Sequence, residues 1–165
     1  MHDFSANAVD LLMRLAYADD AALIIGVGIT GLGSVMGRVH ETPIRVRYNE
    51  TDPMGFVHHS NYLNYFEIAR LDLFTSAGGN YRQMEIDGLL VVVTKVECKY
   101  RKPAQYDDQL VVRTEIARIT AAKIEHDYQV FRDHELLAEA HIVMAVVDRQ
   151  GRVQRVPDVL LALKQ

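Results

Sequence analysis

A carboxylate and two imidazoles, Asp52, His58 and His59, lie within one short stretch, Tyr48-Asn49-Glu50-Thr51-Asp52-Pro53-Met54-Gly55-Phe56-Val57-His58-His59-Ser60-Asn61. A carboxylate can take a proton from water or attack a carbonyl itself. An imidazole can orient it or return a proton to a leaving group. Pro53 and Gly55 predict a tight turn at Asp52, with Gly55 suited to a positive φ or to close backbone approach by a ligand. Ser60 and Asn61 are types that cap helices, and an apolar run follows them. The backbone N–H groups of Gly55, His59 and Ser60 would then stand at a helix start, where partly positive amides hold charge that develops on an oxygen. A base beside such a site is what acyl transfer to water requires. Asp-Pro is also an ordinary turn dipeptide, so the carboxylate taken alone fits a turn equally well.

The elements that must hold these groups follow from periodicity. Ile44, Val46 and Tyr48 alternate with Arg45 and Arg47, the pattern of a half-buried strand that Pro53 and Gly55 end. Ser60 to Ala77 reads as one long helix. Tyr62, Phe66, Ala69 and Leu73 share a face, Leu63 and Phe74 flank it, and Gly78-Gly79 ends it. Apolar residues cover much of its girth, which predicts surrounding elements. A helical turn over Tyr81 to Ile86 precedes four strand-like runs, Leu89–Arg101, Gln109–Ile119, Lys123–Arg132 and Leu136–Asp148. Their short joints predict consecutive antiparallel neighbours. Pro157 to Leu163 reads as a terminal helix. One helix against an antiparallel sheet is an α+β domain.

Composition narrows the function. The chain has 165 residues, 49% apolar and 24% charged, with a net charge of −4. That size supports one domain with a real core. The negative balance and the lack of a basic run argue against nucleic acid as a partner. Cys98 is the single cysteine, so no internal disulfide or cysteine-rich metal site can form, and a cytoplasmic setting is expected. His58 and His59 do not make a metal site, because neighbours in extended chain point apart and no third ligand has suitable spacing. Residues 21–37 are apolar but interrupted by Gly26, Gly28, Gly31 and Gly33, which disfavour a membrane helix. The match of Gly26-Val27-Gly28-Ile29-Thr30-Gly31 to a dinucleotide fingerprint lacks the strand and helix that must frame it. Residues 1–37 are expected to be a poorly ordered or extra extension, with Met36 as the start of the domain chain and a loosely attached membrane or partner segment as the alternative, and 38–165 the domain.

Three stretches carry a family resemblance: Thr51 to Tyr62, Tyr65-Phe66-Glu67-Ile68-Ala69-Arg70, and Tyr100-Arg101-Lys102-Pro103-Ala104-Gln105-Tyr106-Asp107-Asp108. With them the chain resembles the hotdog-fold acyl-CoA thioesterases, in particular the 4-hydroxybenzoyl-CoA thioesterase family and its Tol–Pal-associated branch. The resemblance spans roughly Thr42 to Val156. It implies a curved antiparallel sheet of about five strands wrapped around one long central helix. It also implies hydrolysis of a coenzyme A thioester without metal or redox cofactor, and a homodimer or homotetramer with its sites at the subunit interface.

Residue by residue, Asp52 matches the family's catalytic carboxylate, as base or nucleophile. His59 stands where the branch commonly has a histidine, to orient Asp52 or water or to protonate the thiolate; a satisfied histidine near a cap is the plain alternative. His58, Asn61 and Tyr62 are expected at the acyl pocket, although Tyr62 shares the core stripe of Phe66. Lys95, Lys99 and Arg101 share a strand face with Lys102 beside them, a strip suited to the phosphates of coenzyme A, or a solvated face with Glu97 interleaved. Glu67 is a second-choice base that also fits a pair with Arg70 at i,i+3. His126, His134 and His141 read as structural or surface, and Cys98 as inward and unreactive. A hydratase-like or purely thioester-binding protein is the alternative function. The acyl group, and coenzyme A against acyl carrier protein, stay open.

Overall fold

The computed structural model describes residues 39–164. β1 (Val39–Arg45) leads through a 3-10 turn at Tyr48–Glu50 to α1 (Asn61–Ser76) and α2 (Tyr81–Ile86). Then come β2 (Leu90–Tyr100), β3 (Gln109–Ile119), β4 (Ile124–Arg132), β5 (Glu135–Val147), β6 (Val153–Gln154), α3 (Asp158–Leu161) and a closing 3-10 turn. The expected long helix and the four later strand runs are present to within a residue or two at each end, whereas the first strand runs over Val39–Arg45 and ends before Val46 and Tyr48. Two residues, Val153 and Gln154, add a sixth strand against β5. The expected extension and its boundary near residue 37 lie outside the described residues.

All pairings are antiparallel, in the order β1-β3-β4-β5-β2, with β6 on β5. This corrects the expectation that β2 and β3 are neighbours. β2 lies at the opposite edge of the sheet from β1, paired to β5 with Tyr100 opposite Ala138 and Leu90 opposite Val147. The joint between β2 and β3 is not a hairpin because its backbone is bonded to other elements. Val46 N donates to Asp108 O, Asp107 N donates to Val46 O, and Val57 N donates to Ala104 O. Asp107 enters the left-handed region at φ 73°, which Asp tolerates. The segment therefore crosses the end of the sheet and delivers β3 beside β1.

Register breaks at Val93/Lys95, Ile116/Arg118 and Val130/Phe131 bend three of the ladders. Such irregularities increase twist, which lets a sheet of this length wrap the helix. On α1, Phe66, Ala69 and Leu73 are fully buried, as expected, and Phe66 meets Tyr128 of β4 ring to ring at 4.9 Å. In β4, Ile124, His126, Tyr128 and Val130 all face the core, as the alternation predicts. Two expectations fail. Leu63 is 43% exposed, because the sheet covers one side of the helix and not its whole girth. Tyr48 leaves the strand for the 3-10 turn and stands in solvent against Tyr106.

Candidate active site

The chemistry-bearing stretch folds as a small hairpin pinned at both ends. Asp52 N donates to Phe56 O, Gly55 N closes the turn on Asp52 O, and Thr51 bridges Val57. Pro53 sets the second turn position, and Gly55 takes φ 79°, where a side chain would be strained. Phe56 bridges Gln105, so the crossing segment after β2 is the floor on which the hairpin rests. That explains why the first and third motifs occur together.

Asp52 uses one oxygen for this turn. Oδ1 accepts from Met54 N at 2.8 Å and, more weakly, from Phe56 N at 3.4 Å. Oδ2 has no hydrogen bond among the described residues, so one oxygen is held and the other is free. The turn reading is thus met by Oδ1, while Oδ2 stays open toward the cleft side of the hairpin.

The helix start differs from the expectation of side-chain caps. Ser60 Oγ pairs with His58 Nδ1 at 2.8 Å, and Asn61 Nδ2 donates to Glu50 O at 2.7 Å. Neither side chain accepts from a helix amide. Instead Asn61 N, Tyr62 N and Leu63 N donate to His58 O, His59 O and Ser60 O, which tightens the first turn. Gly55 N is spent in the hairpin. The donors left are His59 N, with no partner among the described residues, and Ser60 N, loosely directed at His58 Nδ1 at 3.4 Å. Of the three expected backbone donors, His59 and Ser60 stay available and Gly55 does not.

Asp52, Phe56, Val57, His59, Tyr62, Tyr100 and Arg101 line one open cleft of about 390 Å³ at this helix start. His59 joins Asp52 there, although no hydrogen bond connects them. The Tyr100 hydroxyl donates to His59 O at 3.1 Å and its ring meets that of Tyr62 at 5.2 Å. Tyr62 is buried and belongs to both core and cleft. His58 sits beside His59 but is exposed and tied to Ser60, and Asn61 acts as a brace to Glu50.

The basic strip divides. Lys95 and Lys99 lie opposite Val143 and Glu139, on the sheet face turned away from the helix, and Lys95 pairs with Glu97. Arg101 reaches the cleft but is paired with Glu139 at 2.6 Å, and neighbouring Lys102 is paired with Glu135. Arg101 N and Lys102 N both donate to Leu137 O, an irregularity that sets Arg101 and Lys102 off from Lys95 and Lys99. Glu67 bonds Arg70 at 3.2 Å, the helix pair expected from spacing. Among the described residues no three His, Cys, Asp or Glu side chains gather as a metal site. No helix among them is long and apolar enough to cross a membrane.

One organising residue escaped sequence reasoning. Glu50 Oε2 accepts from the Tyr65 hydroxyl at 2.8 Å and from Arg47 N, while its carbonyl accepts from His58 N and Asn61 Nδ2. Burial and this carboxylate push the Tyr65 phenol far above its ordinary value. Glu50 thereby locks the hairpin to the helix. Its only sequence signal is a carboxylate fifteen residues before a tyrosine, which no local rule connects.

The model of the thioesterase-like superfamily matches residues 46–163, from the end of β1 to the last turn. The chain belongs to the thioesterase-like superfamily. Within it, the acyl-CoA thioesterase YbgC of Haemophilus influenzae is 34% identical over 109 residues, 64% of this chain and 79% of that protein. A crystallised hypothetical protein of Aquifex aeolicus superposes with a TM-score of 0.73 at 33% identity, covering 76% of this chain and 99% of that one. The DHNA-CoA thioesterase of Staphylococcus aureus follows with a TM-score of 0.69 at 29% identity over 71% of this chain and 80% of its own. The hotdog fold of the superfamily is that of the present sheet and helix.

Tyr100 offers a modest test of how the helix start is held. Tyr100→Phe should lower kcat for thioester cleavage about three- to tenfold, the worth of one ordinary hydrogen bond, with KM nearly unchanged. Steady-state thiol release measures it; an unchanged kcat would mean that the bond to His59 O does not set the donor.

Proposed function

We propose that this chain hydrolyses an acyl or aryl thioester of coenzyme A to free acid and thiol. The observation that carries the reading is the pairing, in one cleft, of a free carboxylate oxygen on Asp52 with the unbonded His59 N–H at the start of α1. The thioester carbonyl oxygen lies at His59 N and Ser60 N. Asp52 Oδ2 takes a proton from water as its oxygen bonds to the carbonyl carbon. The resulting oxyanion is held by the two amides, each such donor being worth about 3 kcal/mol. Collapse breaks the C–S bond and the proton passes from Asp52 to the thiolate, with His59 of the same cleft as its relay. The named activities of the relatives support coenzyme A as the carrier.

The test is thiol release from a panel of aliphatic and aromatic acyl-CoA compounds. A hydrolase frees coenzyme A from at least one; binding without thiol release across the panel would favour the hydratase-like or binding alternative.

A homodimer is part of the proposal. β2 is an edge strand, and Val93, Val96 and Tyr100 leave apolar surface exposed along it. A second copy pairing along this edge would cover that surface and complete the open cleft. Placing a charge on such an edge opposes pairing. Val96→Lys should therefore shift the protein to monomer in sedimentation and reduce thiol release; a wild-type monomer with full activity would contradict the dimer.

A further inference from the structure

The face of the sheet turned away from α1 carries its charges in rows. The ladders align Arg113, Gln129, Glu139 and Lys99 across β3, β4, β5 and β2. One step of the pleat further, Glu115, Asp127, His141 and Glu97 form a second row on the same strands. Between the rows Thr114, Tyr128 and Ala140 are buried on the helix side, so both rows point outward. The two rows border one open depression of about 530 Å³.

The signs are sorted. The first row holds two cations and one carboxylate; the second holds three carboxylates and an imidazole. Some of these groups are matched within the chain. Glu139 pairs with Arg101, Glu97 with Lys95 at 3.2 Å, and His141 with Asp127 at 2.7 Å, while Glu125 stands 3.8 Å from the other nitrogen of that imidazole. Arg113, Lys99 and Glu115 have no ion pair among the described residues. Solubility is served by interspersed signs and does not call for sorting by row.

Sorting by row suits a second copy of the same face. Two copies packed face to face are related by a dyad lying between the sheets. A dyad along the strands lays β3 over β2, so Arg113 meets Lys99 and Glu115 meets Glu97, like sign on like. A dyad across the strands keeps each strand over itself and exchanges the rows. Arg113 then meets Glu115, and Lys99 meets Glu97. Gln129 meets Asp127, and Glu139 meets His141. Each contact is unlike in sign or able to hydrogen-bond, and the dyad makes each one twice. Packed sheets lie about 10 Å apart, a gap that long facing side chains span. The depression leaves room for bridging water.

We propose that the outer sheet face is a self-complementary interface, on which a second copy of this chain sits about a dyad crossing the strands between residues 113 and 115. That dyad meets the β2 edge at right angles, so it joins two edge-paired dimers into four copies. The proposal rests on the edge pairing given above. Exposed ion pairs contribute little singly, so one face contact does not hold two chains, whereas two on a doubled sheet act together. Val96→Lys therefore still gives monomers.

Sedimentation in about 50 mM and about 500 mM salt tests this, because solvent-facing pairs are screened as salt rises. The native protein should be four copies in the lower salt and two in the higher. Arg113→Glu alone, or Glu115→Arg alone, sets like charges across the dyad. Each should weaken the four-copy state about tenfold or more and leave edge dimers. Combining the two substitutions in one chain should restore assembly, and so should mixing the two single variants, a recovery that damage to folding cannot imitate. Native protein that stays at two copies in the lower salt overturns the face contact and leaves the edge pairing standing; a native monomer overturns both. Single variants that assemble like the native protein, or failure of both the combined variant and the mixture to recover, overturn the dyad and the proposal with it.

Discussion

Asp52→Asn should lower kcat for thioester cleavage by about 10²–10⁴-fold and leave KM close to its original value. The substitution suits this carboxylate because its two oxygens have separate tasks. Oδ1 accepts from Met54 N and Phe56 N, and an asparagine carbonyl oxygen can do the same. The hairpin therefore survives, with Gly55 N still on Asp52 O. Only Oδ2 changes, from a proton acceptor to an amide that cannot accept one. Loss of rate with retained folding, read by thiol release beside a thermal melt, isolates the chemical role from the turn-forming one. A variant that keeps its rate would show that Asp52 is a turn residue and nothing more.

The second large effect is on stability. His126 is held neutral by burial and by Arg70, with its value pushed down to about 3 from an ordinary 6.5. Between those values the unfolded chain binds a proton that the folded chain refuses, so stability rises with pH across that window. It is full above 6.5 and falls as the pH drops, on the order of 1.4 kcal/mol for each pH unit. Asp72 adds a separate loss at still lower pH. Hydrogen bonds from His40 and Thr42 hold its carboxyl below the usual value, and that contribution disappears as the carboxyl protonates. Urea unfolding at several pH values from 7 down to about 2.5 should show the decline in the native protein. His126→Phe should flatten the part between 6.5 and 4 and leave the Asp72 part in place. The same slope in both proteins would mean that His126 is protonated in the folded state.

Much of this fold is written in local patterns. The alternation of Ile124, His126, Tyr128 and Val130 and the stripe of Phe66, Ala69 and Leu73 each report a buried face, and each is where it should be. What local pattern does not carry is which strands pair. The segment Pro103–Asp108 is short enough for a hairpin, and only its bonds to Val46 and Val57 make it a crossing. Those partners lie about fifty residues earlier in the chain. The same limit applies at the site. Asp52, His59 and Tyr62 could be grouped from sequence because one turn and one helix start hold them, and they do line one cleft. Ser60 has the right type for a cap, yet the His58 imidazole competes for its hydroxyl. Lys95 and Lys99 share a face by alternation, but the sheet decides which face, and it is the one away from the helix. The pairing of Arg70 with Glu67 is legible from helix spacing; its burial against His126 is not, since that contact joins helix and sheet.

The most direct measurement is a crystal structure of the Asp52→Asn protein with an intact acyl-CoA bound. The account predicts the thioester carbonyl oxygen about 3 Å from His59 N, with the residue 52 side chain facing the carbonyl carbon. A thioester seated elsewhere, against Glu67 or on the outer sheet face beside His141, with the residue 52 side chain remote from it, would contradict the account.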